Sequence, residues 1–293
     1  MRNARLLFDK ELGEISVQHD LPIGIFDSGV GGLTVASAIA KTLPNEQIFY
    51  FGDMARCPYG NRNGKEVTEF SVQIVEYLLQ LGVKMIVVAC NTATATALPE
   101  LRRRFDIPII GVIQPGSRAA AKETESGRVG VIGTTVTIAS GAYELAVHAA
   151  DPNISVYSLG CPAFVPLVEQ GKCSGQEVES IVHNSLEPLR ALEIDTLILG
   201  CTHYPLLEQP IAKVLGPSVR LISSADETAL EVHRLLLEQA GLCEHRLGPN
   251  RYFTTGNGDR MAEVLHSWMN ATEEEIQECI QTVDVDVLLT APR

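Results

Sequence analysis

From Pro22 onward, short β-branched and aliphatic runs alternate with longer amphipathic stretches, and no other feature of the chain narrows its fold as much. Strands that alternate with helices pair in parallel, because each helix carries the chain back to start the next strand in the same direction. The spacing predicts a first series of strands over Ile23–Phe26, Gln47–Phe51, Lys84–Ala89 and Pro108–Val112, separated by helices over Leu33–Thr42, Lys65–Leu81 and Ala93–Phe105. A second series follows over Arg128–Ile132, Ile154–Leu159, Asp195–Leu199 and Val219–Ile222.

The third strand of each series ends in a similar phrase, VVACNT at 87–92 and ILGCTH at 198–203, and the first strands are offset by nearly the same interval. The pattern reads as a degenerate internal duplication, with chance likeness of two apolar strands as the alternative. A chain of 293 residues suits two domains. The expected fold is therefore α/β, with two similar parallel-sheet domains facing each other across a cleft. After Ile222 the chain continues with a helix over Glu227–Gln239, a strand near Tyr252–Thr255, a helix ending near Met269 and an apolar strand over Val283–Leu288. These elements are expected to return to the first domain. The division is then an N-terminal extension over 1–20, a first domain over 21–116 with 225–293, and a second over 117–224.

Composition excludes several partners. A net charge of −13 argues against a nucleic-acid surface, which needs clustered Lys and Arg. The run Arg102-Arg103-Arg104 reads as a last helical turn complementing the helix dipole. Seven scattered cysteines without a CxxC pair suggest reduced thiols in a cytoplasm, not a disulfide framework. The first 20 residues hold only the apolar patch Leu6–Phe8, so no signal-peptide core is read there, and no apolar run reaches the ~18 residues of a membrane span.

Ligands of parallel sheets collect at the carboxyl ends of strands. The first such turn, Asp27-Ser28-Gly29-Val30-Gly31-Gly32, has glycines that permit close backbone approach to a ligand. Thr34 stands where a dinucleotide fingerprint would have its third glycine, so nucleotide binding is not read from it. A plain turn with Asp27 or Ser28 as helix cap is the competing reading.

Cys90 and Cys201 each follow a buried strand. A lone free cysteine is ordinarily an inert core residue, but a thiol at a helix N-terminus is expected to have a lowered pKa. Two thiols at equivalent strand ends would face each other across the cleft. Inversion at a carbon needs that symmetry, with a base on one face and an acid on the other, exchanging roles for the reverse reaction. A thiol with an ordinary pKa of about 8.5, lowered locally, serves either role near neutral pH, so both forms are available without a metal. Cys201-Thr202-His203 also lacks a second ligand pair with zinc spacing.

Donors at Asn91, Thr92, Thr202 and the turn Gly133-Thr134-Thr135 are expected to stabilise a substrate carboxylate as negative charge develops. Asp27 and His203 are the auxiliary groups for Cys90 and Cys201 respectively, with Asp27 also suited to a substrate ammonium. Glu169 reads either as a further partner or as an exposed helix-end carboxylate. In Cys57-Pro58-Tyr59-Gly60-Asn61, Pro58 and Gly60 shape a turn, and Tyr59 either completes it or closes on a ligand.

FDSGVGGLTV (26–35), PYGNR (58–62), VVACNTATATAL (87–98), GVIGTTVTIASGAY (130–143), LGCTHYPLL (199–207) and SSADETA (223–229) together resemble the motifs of bacterial glutamate racemases, over nearly everything from about residue 22 to 290. The resemblance implies two α/β domains with the site between them, no pyridoxal phosphate, and production of D-glutamate for peptidoglycan. By motif, Cys90 and Cys201 resemble the two catalytic thiols. Asp27, Ser28, Tyr59, Gly60, Asn91, Thr92, Thr202 and His203 resemble substrate-contacting positions. The CTH form of the second motif is more similar to glutamate than to aspartate racemases. Such enzymes are often dimers, so glutamate and a second copy of the chain are the partners the resemblance implies. In some members an N-terminal extension accompanies regulation by a cell-wall precursor. An aspartate racemase is the nearest competing reading; a ligand-binding module on the same scaffold and a thiol redox protein are others.

Overall fold

A computed structural model describes residues 20–239, 241–269 and 272–289; the extension read over 1–20 lies, but for Asp20, outside the described residues. In chain order the first series is β1 (Ile23–Asp27), α1 (Leu33–Thr42), β2 (Ile48–Gly52), α2 (Gly64–Gln80), β3 (Met85–Val88), α3 (Asn91–Arg104) and β4 (Ile109–Gly111). After α4 (Ile113–Glu123) come β5 (Arg128–Gly133), α5 (Thr135–Ala139), α6 (Ala142–Ala150), β6 (Ser155–Gly160), α7 (Phe164–Glu169), α8 (Gln176–Arg190), β7 (Thr196–Gly200), α9 (Glu208–Leu215) and β8 (Arg220–Ser223). The tail is α10 (Ser224–Glu238), β9 (Arg251–Thr254), α11 (Asp259–Met269), α12 (Glu273–Cys279), β10 (Ile280–Thr282) and α13 (Val285–Leu289).

Two all-parallel sheets result. One has the order β10-β9-β2-β1-β3-β4 and the other β6-β5-β7-β8, so the two series repeat one four-strand order. Parallel strands are covered on both faces and therefore read as continuous apolar runs. β1, β2, β3 and β7 are buried at every residue. Alternation along the strands divides the first core into two layers. Ile23, Ile25 and Val87 pack with Ile39 of α1 and Val232 of α10, while Phe26, Phe51 and Val88 face Val75 of α2 and Leu101 of α3. In the second sheet Leu197 and Leu199 pack with Phe164 and Val182, and Val129, Val131 and Ile198 with Tyr143 and Val147.

The tail rejoins the first sheet, where β9 pairs with β2 and β10 with β9. The strand expected over Val283–Leu288 does not form. Pairing is made by Ile280–Thr282, and Asp284 then starts a helix, its Oδ1 accepting the Asp286 N–H at 3.0 Å and its carbonyl the Val287 N–H at 3.0 Å. An aspartate offers the backbone local bonds that compete with a ladder. No helix among the described residues is long and apolar enough to cross a membrane.

Candidate active site

In each sheet the strand order reverses between the first and third strands of its series, and turns diverging from such a point open a crevice. Asp27 ends β1 and Cys90 follows β3; Gly133 ends β5 and Cys201 follows β7. The crevices meet in one cavity of about 540 Å³, counting its open mouth. Ser28, Tyr59, Gly60, Cys90, Asn91 and Thr92 line it from the first series, and Thr134, Thr135, Cys201, Thr202 and His203 from the second. Asp27 and Glu169 are not in the lining; each stands one layer behind it.

The Asp27 carboxylate organises its turn without capping α1. Its Oδ2 accepts the N–H groups of Gly29 and Gly32, both at 3.1 Å, and its Oδ1 faces the Thr202 hydroxyl at 3.5 Å. Burial raises its pKa, against the opposing charge of His203 and the N–H bonds of the turn.

Cys90 caps α3, with Sγ accepting the Ala93 N–H at 3.5 Å and the thiol turned to Ser28 Oγ at 3.9 Å. The expected lowering of its pKa is not what the surroundings produce. Burial, reinforced by the charge of Asp27, pushes the thiol up and outweighs the helix-end N–H. Nor does Cys201 begin an α-helix, since a 3-10 turn over Tyr204–Leu207 follows and α9 starts only at Glu208. Its neighbour in place of a helix end is a relay: Sγ lies 3.7 Å from His203 Nδ1, and His203 Nε2 lies 2.5 Å from Glu169 Oε1. Burial opposes the imidazolium, yet the bonds to Cys201 and Glu169 hold His203 up at about 10. The bond from His203 keeps the Glu169 carboxyl low, helped by the charges of His203 and Arg260.

Tyr59 forms a wall of the cavity, but its hydroxyl turns away to Asp53, which also receives Arg56 Nε at 2.7 Å and the Thr255 hydroxyl at 2.7 Å. Across the cleft the hydroxyls of Thr92, Thr134 and Thr137 close a triangle with sides of 3.0, 3.1 and 2.9 Å. Two glycines are required by close approach. A Cβ on Gly31 would stand 2.5 Å from Thr202 Oγ1 and 2.8 Å from His203 Nδ1, and one on Gly60 would stand 2.7 Å from Thr134 Cβ.

Sequence reasoning missed several residues. Pro162 lines the cavity from the turn before α7 and Val165 and Pro166 from its first turn, and Arg260 of α11 reaches the Val168 carbonyl at 3.4 Å, beside Glu169. Tyr143 of α6 donates to Asn91 Oδ1 at 2.6 Å. These contacts join elements remote in the chain, so no local spacing announces them.

The sequence pattern of the Asp/Glu/Hydantoin racemase family matches residues 30–232. A glutamate racemase of Shouchella clausii is 51% identical over 256 residues, covering 87% of this chain and 92% of that one. The chain belongs to the glutamate racemases of this family. A solved glutamate racemase isoform of Bacillus anthracis shares the fold with a TM-score of 0.85 and 45% identity, over 92% of this chain and 99% of that one. The glutamate racemase of Francisella tularensis, solved in complex with D-glutamate, follows with a TM-score of 0.84 and 36% identity, over 92% of this chain and 99% of that one. In this chain Cys90 and Cys201 line one cavity from equivalent ends of two sheets of like topology.

Proposed function

We propose that the protein interconverts L- and D-glutamate without a cofactor, with Cys90 and Cys201 working from opposite faces of the α-carbon. The observation that carries the reading is the pair of thiols lining one cavity at equivalent strand ends. In one direction the thiolate of one cysteine takes the α-proton, and the thiol of the other delivers its own to the opposite face. The reverse reaction exchanges the roles, so each turnover ends with the proton on the other sulfur. A substrate ammonium beside Ser28, with the Asp27 carboxylate one layer behind it, brings the positive charge that draws the buried Cys90 thiol down. On the other side His203, held by Glu169, lies against the Cys201 sulfur as its proton partner. Donors from Asn91, Thr92 and Thr202 hold the α-carboxylate, whose basicity grows as the α-proton leaves. Tyr59, Gly60, Thr134 and Thr135 shape the remaining wall. The complex of the Francisella relative with D-glutamate supports the substrate assignment.

The units 21–116 with 225–293 and 117–224 are proposed as the two domains. The product is proposed to serve peptidoglycan synthesis in the cytoplasm, with a homodimer as the working form; light scattering on the purified protein tests the last point.

The deciding experiment incubates the protein, with nothing added, with L-glutamate and separately with L-aspartate in deuterium oxide. Loss of the α-proton signal and of optical rotation with glutamate is the expected result; loss with aspartate alone transfers the reading to an aspartate racemase. Cys90→Ala and Cys201→Ala should each lower turnover by about 10²- to 10⁴-fold while the protein still binds glutamate and melts normally. Near-normal racemisation by either variant would falsify the two-thiol assignment.

A further inference from the structure

We infer that Tyr143 is a positioning residue for this reaction, fixing the Asn91 carboxamide so that its Nδ2 hydrogens are left for the cleft. The inference rests on the racemase reading above and adds a residue to it.

Asn91 is the first residue of α3, directly after Cys90, and its side chain lines the cavity. A carboxamide presents an acceptor at one end and two donors at the other, and only the donor end can stabilise a carboxylate. An amide free to rotate would bring its oxygen against the substrate's own oxygens. Here Oδ1 is taken by the Tyr143 hydroxyl at 2.6 Å, and among the described residues no acceptor engages Nδ2.

The phenol is itself held to the donating role. It is buried, and burial raises its pKa, so it keeps its proton. That single proton goes to Asn91, and the Ser224 hydroxyl at 3.3 Å then donates to the phenol oxygen, which gives one directed chain from Ser224 through Tyr143 to Asn91. Room for Ser224 comes from Gly116, where a Cβ would stand 2.7 Å from the serine Oγ. The ring lies against Gly200, the last residue of β7 and the neighbour of Cys201, where a Cβ would stand 2.9 Å from Cε2. One side chain thus rests its ring beside the strand end that carries one thiol and its hydroxyl on the residue next to the other.

The test compares Tyr143→Phe, Asn91→Ala and the double variant, reading kcat and KM for both enantiomers together with melting temperature. Tyr143→Phe keeps the ring and its packing. It should lower kcat by about tenfold or more in both directions with KM changed less, because the carboxylate grip tightens as charge develops; loss of a donor aimed directly at such charge costs about 10²- to 10³-fold. The double variant should be no slower than Asn91→Ala alone, since the hydroxyl acts only through that amide. Ser224→Ala should slow the wild type a few-fold and leave Tyr143→Phe unchanged. An active wild type with kcat unaltered by Tyr143→Phe overturns the inference alone, and so do effects that simply multiply in the double variant. A wild type silent toward both enantiomers overturns the racemase reading and this inference with it.

Discussion

His203 is a residue whose surroundings favour its charged form. Buried between a thiol and a carboxylate, it is held up at about 10 from an ordinary 6.5, while Glu169 is displaced downward from 4.5. A raised pKa stabilises the fold fully below the ordinary value and ceases to do so as pH climbs through the raised one; a lowered carboxyl pKa stabilises above its ordinary value and fails in acid. The pair therefore contributes most between pH 4.5 and 6.5, and the His203 share declines from 6.5 to about 10. Urea unfolding of the wild type and of His203→Asn, followed across that alkaline range, should show their difference in midpoint shrinking as pH rises. A difference constant from pH 6.5 to 10 would refute the assignment.

At the scale of elements, the turns that follow β1 and β7 approach so closely at Gly31 that a methyl group matters. Gly31→Ala should push the Thr202–His203 turn away from the Asp27 turn, lowering kcat/KM by tenfold or more while stability drops by about 1–3 kcal/mol, as crowding of a packed contact does. Steady-state kinetics beside thermal melts would separate the two effects, and an unimpaired variant would mean that the contact is not needed. The elements themselves were legible in the sequence because parallel strands are buried on both faces and announce themselves as apolar runs: Met85–Val88 lies within the run Lys84–Ala89, and Thr196–Gly200 is displaced by one residue from Asp195–Leu199. The misreading at Val283–Leu288 has the same root. Val-Asp-Val-Asp-Val alternates as a half-buried strand would, but Asp284 uses its side chain to start a helix. The roles of Cys201 and Glu169 were only half legible, since the thiol's position was read from a phrase but its partner comes from α7. Tyr143 closes the motif GVIGTTVTIASGAY but its role was not legible there, and Arg260 left no sign at all, because each acts across a gap that only the fold closes.

For the whole molecule, the end of the first sheet opposite the cleft is where the tail is secured. Lys84 Nζ lies 2.6 Å from Glu46 Oε2, both side chains buried, and it donates to the Gly241 carbonyl at 2.7 Å, while Glu46 Oε1 accepts the Cys243 N–H at 2.9 Å. Breaking a buried pair by removing one partner leaves the other charge uncompensated, so Lys84→Met should cost about 3–5 kcal/mol in chemical denaturation. Adding Glu46→Leu should recover much of that loss; a single variant as stable as the wild type would show that the ion pair does not hold the tail. The tail's return also orders events during synthesis. β5 to β8 are contiguous, so their sheet can assemble as soon as Ser223 has emerged from the ribosome. The older half, with β2 waiting for β9, keeps an open edge until Thr254 is free, and the first part made is the last to close.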